Sequence, residues 1–295
     1  MKGNRLLVRF FFVPLGCLSL SYAAMCVYWL VTGCRYGVKV CTSVFVDSLP
    51  FTLIISGVAA AVSGTVAIKR IKRFTSAMEK CRKSSGAPED IAQLDKALGA
   101  LKYKGAYVSL LRASALLGCG CYDECLGELE GIDLAYLSAE DEEEYFNMLI
   151  YCRLMQGEKE TALRLYLLSG HYFRRALGRR GTSHIRHTVG MIYYTVGEYD
   201  KALKLFEESK KDAERSLLCE CDLWAGLCFL KLGSGQQALD CALRAAQNVS
   251  DARQQKSLIH LKNAAVTLTE RERRAAQERQ EQILLQEMSA DETDI

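Results

Sequence analysis

Proline is nearly absent from this 295-residue chain, with 3 in all and none after Pro88, so the last two hundred positions hold no obligatory helix breaker. That scarcity excludes a collagenous or proline-rich extended protein, and a hydrophobic fraction of 49% excludes a disordered one. Strands are missing from the pattern too, since no run after residue 88 alternates polar and apolar residues at period 2. Chemistry has little to stand on: there is no glycine-rich phosphate loop, no G-x-S-x-G elbow and no H-E-x-x-H pair. His184 and His187 are three apart, yet no carboxylate joins them at metal-ligand spacing. The reading is therefore not an enzyme, with no cofactor and no metal.

Cysteine, by contrast, is plentiful at 13, but no two stand in C-x-x-C spacing. Cys119, Cys121 and Cys125, like Cys219 and Cys221, read as free thiols used as small apolar residues.

Net charge is only +3, and the total conceals an asymmetry. Residues 1–83 carry 12 Lys/Arg against 2 Asp/Glu, whereas residues 84–295 carry 26 against 33. The basic end also holds the long apolar runs: 25 uncharged residues from Phe10 to Cys34 and 21 from Ser48 to Ile68. About 20 apolar residues span a ~30 Å hydrocarbon core as a helix, so each run is long enough to cross. A cleaved signal peptide is the rival for the first run, but the run continues well past a short hydrophobic region. Lys2, Arg5 and Arg9 precede it and Lys69, Arg70, Lys72 and Arg73 follow the second run, so both termini are expected on the cytoplasmic side, with the cell membrane as the location. The expected segments are a cytoplasmic N-terminus (1–9), two crossings (10–32 and 47–68) around an outer loop (33–46), and a basic linker (69–88).

Past the linker, apolar residues recur at helical spacing and a skeleton repeats. Gly190, Tyr193, Gly197, Tyr199, Ala202, Phe206 and Ser209 return 36 residues later as Gly226, Phe229, Gly233, Gly235, Ala238, Ala242 and Ala245. Weaker copies lie upstream around Gly120 and Gly157, so that the four turn glycines are spaced 37, 40 and 36 residues. In each, the glycine ends one helix, and the small residue five positions on sits where the two helices of a pair touch. These offsets resemble the tetratricopeptide repeat, although the family's proline at the end of the second helix is missing and insertions break its 34-residue period. The resemblance implies an α-solenoid of about four helix pairs, placed over residues 89–269; with the two apolar crossings, the expected fold is all-α, a two-helix transmembrane hairpin followed by the solenoid. A charged helical tail (270–295) follows.

A concave groove lined by the first helix of each pair is what the resemblance implies for function. Carrying the family's offsets over places Asn147, Tyr151 and Leu154 there from the second pair, His184, His187, Met191 and Tyr194 from the third, and Glu220, Leu223, Leu227 and Leu230 from the fourth. The Lys/Asn pattern with which some relatives clamp a C-terminal carboxylate is absent, so an extended or helical peptide is the expected occupant. Arg174, Arg175, Arg179, Arg180 and Arg186 crowd the connection between the second and third pairs, either as a solvated face or as an anionic-surface contact. No nucleic-acid partner is expected of a net acidic body. Together these readings predict a membrane-anchored scaffold or adaptor that binds a protein or peptide beside the lipid bilayer. The alternative is an accessory or regulatory subunit of a membrane enzyme or a transport or secretion complex.

Overall fold

The computed structural model describes residues 38–101 and 105–291, together with Ala24, Val27, Tyr28 and Val31, which are helical. Among the described residues there are twelve α-helices, one 3₁₀ turn and no strand. The first apolar run, expected to cross a membrane, otherwise lies outside the described residues, as does the N-terminus before it. No helix among the described residues is long and apolar enough to cross a membrane.

Helix α1 runs from Val38 to Lys83, 46 residues, and carries the second apolar run. It also takes in much of the expected outer loop and continues through residues 69–83, read above as a linker. Nothing there breaks it: no proline follows Pro50 until Pro88, and no glycine lies between Gly64 and Gly86. Ser85 and Gly86, both at positive φ, end the helix, and the N–H of Gly86 donates to the carbonyl of Cys81. Helix α2 (Pro88–Gly99) opens on a proline with Glu89 and Asp90 in its first turn, where the helix dipole favours anions. Two compact units divide the chain, one holding residues 1–77 and 93–102 and the other residues 78–92 and 103–295. In the first, Ala67, Phe74 and Ala77 share a buried side of α1, and Leu94, Leu98 and Leu101 are buried around α2.

The second unit is a series of helical hairpins: α3 (Ala106–Cys119) with α4 (Tyr122–Glu130), α5 (Ala139–Met155) with α6 (Lys159–Leu168), α8 (Ser183–Thr195) with α9 (Tyr199–Lys210), and α10 (Arg215–Lys231) with α11 (Gly235–Ala246). Every one of these turns is made the same way. Gly120, Gly157, Gly197 and Gly233 sit at φ 81, 82, 84 and 74°, a left-handed conformation that costs a side-chain-bearing residue about 1–2 kcal/mol. Each glycine N–H donates three residues back, and the next N–H donates five back, as from Glu158 to Arg153 and from Glu198 to Tyr193. This pair of bonds satisfies the last carbonyls of the first helix and aims the chain back along it. Five positions after each glycine stands Cys125, Ala162, Ala202 or Ala238, all fully buried.

First helices also pack on first helices, α3 on α5, α5 on α8, α8 on α10 and α10 on the terminal helix α12 (Ala252–Asp291), forming an inner layer. Helix α7 (Gly170–Leu177) is inserted between the second and third hairpins and lengthens that spacing. It seats Phe173 and Ala176 against Ile150, Ile185 and Val189. Helix α12 covers the last hairpin, as an open stack requires, with Gln254, Leu258, Leu261, Ala265 and Thr269. Ile259 and Val266 on the same helix are exposed, because the buried stripe advances by three or four residues from Gln254.

Candidate functional site

The inner helices repeat their positions, so groove residues fall into rows. Glu144, His184 and Glu220 form one, Asn147, His187 and Leu223 the next, then Tyr151, Met191 and Leu227, and finally Leu154, Tyr194 and Leu230. In the first row His184 Nε2 lies 2.6 Å from Glu144 Oε1, while Glu220 Oε1 accepts from Arg253 Nη2 of α12 at 2.7 Å. The second row belongs to the interior, together with Met191 of the third and Glu220 of the first. Asn147, His187, Met191, Glu220 and Leu223 are buried, which the carried-over offsets did not convey. Tyr151, Leu154, Tyr194, Leu227 and Leu230 are half-buried, and Leu117 of α3 continues the Leu154, Tyr194, Leu230 row. The exposed part of the groove is thus an apolar strip toward the C-terminal ends of the inner helices, with the Tyr194 ring packed on Trp224 and Tyr199 at 5.2 and 5.6 Å between ring centroids.

Arg253 ties the inner layer together from the first turn of α12. Its Nη1 donates to Tyr122 Oη at 2.9 Å and to Tyr151 Oη at 3.4 Å, while Gln254 Nε2 also donates to Glu220 and to Ser216. Residues from α4, α5, α10 and α12 meet there, 131, 102 and 33 positions from Arg253 in sequence. Burial alone would discourage the guanidinium charge, but Tyr151 and Glu220 outweigh it and hold Arg253 firmly protonated. Burial likewise pushes the Tyr151 hydroxyl above its ordinary range, with the Glu220 charge adding to the effect. His187, against the rings of Tyr151 and Phe206, is pushed down to about 3, first by burial and then by the positive charge of Arg253. Two polar atoms on this face, His187 Nε2 and Asn147 Oδ1, are buried without a hydrogen-bond partner.

Most of the arginine cluster turns inward. Arg175 Nε donates to Glu143 Oε1 at 2.6 Å, and Arg179 closes on the other oxygen of that carboxylate, which is 1% exposed. Arg186 donates to the carbonyls of Leu177 and Arg179, terminating α7. Arg174 and Arg180 are exposed, and Arg175 stays exposed beyond its contact with Glu143. A matching device in the fourth hairpin surrounds Asp222 with Lys210 at 2.7 Å and Arg244 at 3.1 Å. Neither carboxylate, nor Tyr122, nor Arg253, was marked as a site from sequence; the local pattern carries no trace of partners 12 to 36 residues from the two carboxylates, or 131 residues apart for Tyr122 and Arg253.

The cysteines from Cys81 to Cys241 are free and all but Cys121 are buried, with burial pushing Cys219, Cys221 and Cys228 up to about 12. Cys125 donates to the carbonyl of Ala113 and Cys221 to the hydroxyl of Ser209, so they serve as small core residues with a weak donor. Compared with protein-family models, with curated proteins and with solved structures, the chain matches none.

Proposed function

We propose that this protein is a membrane-anchored scaffold, a tetratricopeptide-like solenoid held at the cytoplasmic face of a bilayer by two apolar segments and docking a protein or peptide partner along its inner helices. The observation that carries the reading is the fourfold recurrence of one glycine turn at intervals of 36–40 residues, each followed by a buried small residue. Such hairpins bury their apolar faces only by stacking, and the layer of first helices is left as an extended surface. The half-buried row of Leu117, Leu154, Tyr194 and Leu230 gives that surface apolar anchors of the kind that side chains of a docked segment fill. Anchoring is supported by the charge-bracketed runs at residues 10–34 and 48–68, and by the exposure of Val58, Val62, Val66 and Ile68 on α1.

Two experiments test it. Protease added to sealed, right-side-out vesicles should leave residues 89–291 intact and cut them only after lysis; digestion without lysis overturns the topology. Partner capture from detergent extracts should be lost on Leu154→Ser together with Tyr194→Ala, while the circular dichroism spectrum is retained. Capture that survives these changes and needs only residues 1–73 favours instead an accessory subunit held through the membrane segments.

A further inference from the structure

The polar half of the inner face is lined by hydrogen-bond acceptors. Tyr122 Oη, Tyr151 Oη and the Glu220 carboxylate converge on one guanidinium, and Asn147 Oδ1 and the neutral His187 ring are buried on the same layer with unpartnered atoms. A carboxylate or phosphate ligand would meet the Glu220 charge, whereas a guanidinium brings five donors and a positive charge to the same place. The receptor and its occupant differ in burial: the Glu220 side chain is 11% exposed and that of Arg253 36%. Arg253 therefore reaches the seat from the open side and has solvent to return to. It is delivered by the first turn of α12, which Gln254 separately fastens to Ser216 and Ser250. Withdrawing the Arg253 side chain leaves those bonds in place.

We propose that this seat is a recognition site for an arginine side chain of the docked segment, and that Arg253 is its built-in competitor in the free protein. The inference rests on the groove reading and names the chemistry of the partner: an arginine beside apolar residues, the arginine for Tyr122, Tyr151 and Glu220, the apolar residues for the Leu154, Tyr194, Leu230 row. Replacing one guanidinium by another keeps the buried carboxylate paired throughout. An exchange of this type avoids the large penalty of leaving a buried charge alone.

The test uses the full chain in detergent, with thermal unfolding followed in the presence of N-acetyl-arginine amide or its uncharged isostere N-acetyl-citrulline amide. Arg253→Ala should melt lower than wild type and recover in a saturable way with the arginine compound, by roughly 5 °C or more at about 100 times its Kd. The citrulline compound should do nothing. Wild type should require roughly tenfold or more of the arginine compound for the same response, since its seat is filled. Equal responses in the two proteins, equal responses to the two compounds, or no recovery at all overturn the proposal. Should Arg253→Ala not fold, Arg253→Lys decides: it keeps a cation without the fork, so the arginine compound should act at intermediate concentration, and no effect overturns the proposal. The measurement needs neither bilayer orientation nor a captured partner, so its failure alone removes the arginine and leaves the scaffold reading standing.

Discussion

Where α8 carries Gly190, α5 carries Ile150 at the corresponding position, and the second and third hairpins pack differently because of it. In the third, a Cβ on Gly190 would lie 2.6 Å from the Phe206 ring, so the aromatic fills the space that a side chain would need. In the second, Ile150 is fully buried, the facing Tyr166 stays half-buried, and the remaining volume is taken by Phe173 of α7. The turns are the same, so the turn fixes the hairpin's direction while the choice of large and small partners fixes how closely its helices approach. The inserted helix fills the space beside the second hairpin, and Arg175 on it and Arg179 just after it reach Glu143.

Breaking that dependence should have the largest effect. Arg175→Ala with Arg179→Ala leaves Glu143 buried and unpaired, and chemical denaturation should show a loss of about 3–5 kcal/mol. Ile150→Ala, which empties the position that Gly190 leaves empty by design, should cost about 2–5 kcal/mol. The converse change, Gly190→Ala, overpacks the third hairpin and should cost about 1–3 kcal/mol, relieved when Phe206→Leu is added. Acid distinguishes the hairpins as well. His187 is buried and its pKa falls from 6.5 to about 3, so the unfolded chain binds the proton more readily. Stability from this group should therefore be intact above pH 6.5 and decline as pH drops toward 3, by up to about 1.4 kcal/mol per unit, and His187→Phe should flatten that part of the profile. The smallest effect, and the one that must not discriminate, is at the turns. Gly157→Ala and Gly197→Ala should each cost about 1–2 kcal/mol, and a marked inequality between them would contradict a shared turn geometry.

What could be read in advance followed from constraints that act locally. Only glycine adopts the turn conformation freely, and only small residues allow close helix contact, so Gly197, Gly233, Ala202 and Ala238 marked their places before any coordinates. A local constraint acts at the start of α5 as well, where the Ser138 hydroxyl accepts from the Asp141 N–H. Helix α7 was taken for a connection because eight residues, GHYFRRAL, give too short a period to separate from a loop. The groove offsets transferred as rows but not as exposure: whether Met191 or His187 faces solvent depends on how tightly successive inner helices close on each other. Arg253 was invisible for the plainest reason, since its partners on α4 and α5 lie more than a hundred residues away.

Because every hairpin reverses through the same turn, the inner helices α3, α5, α8 and α10 all point the same way. Their peptide dipoles add along one rim where those of an alternating bundle would cancel, about half a positive charge at each N-terminal end. The rim's own side chains answer this field unevenly: α5 opens with Glu140, Asp141 and Glu142, whereas α3, α8 and α10 have no acidic residue in their first turns. The stack therefore carries a polarity across its width, set by backbone direction alone, which gives any segment lying along the inner layer distinguishable edges.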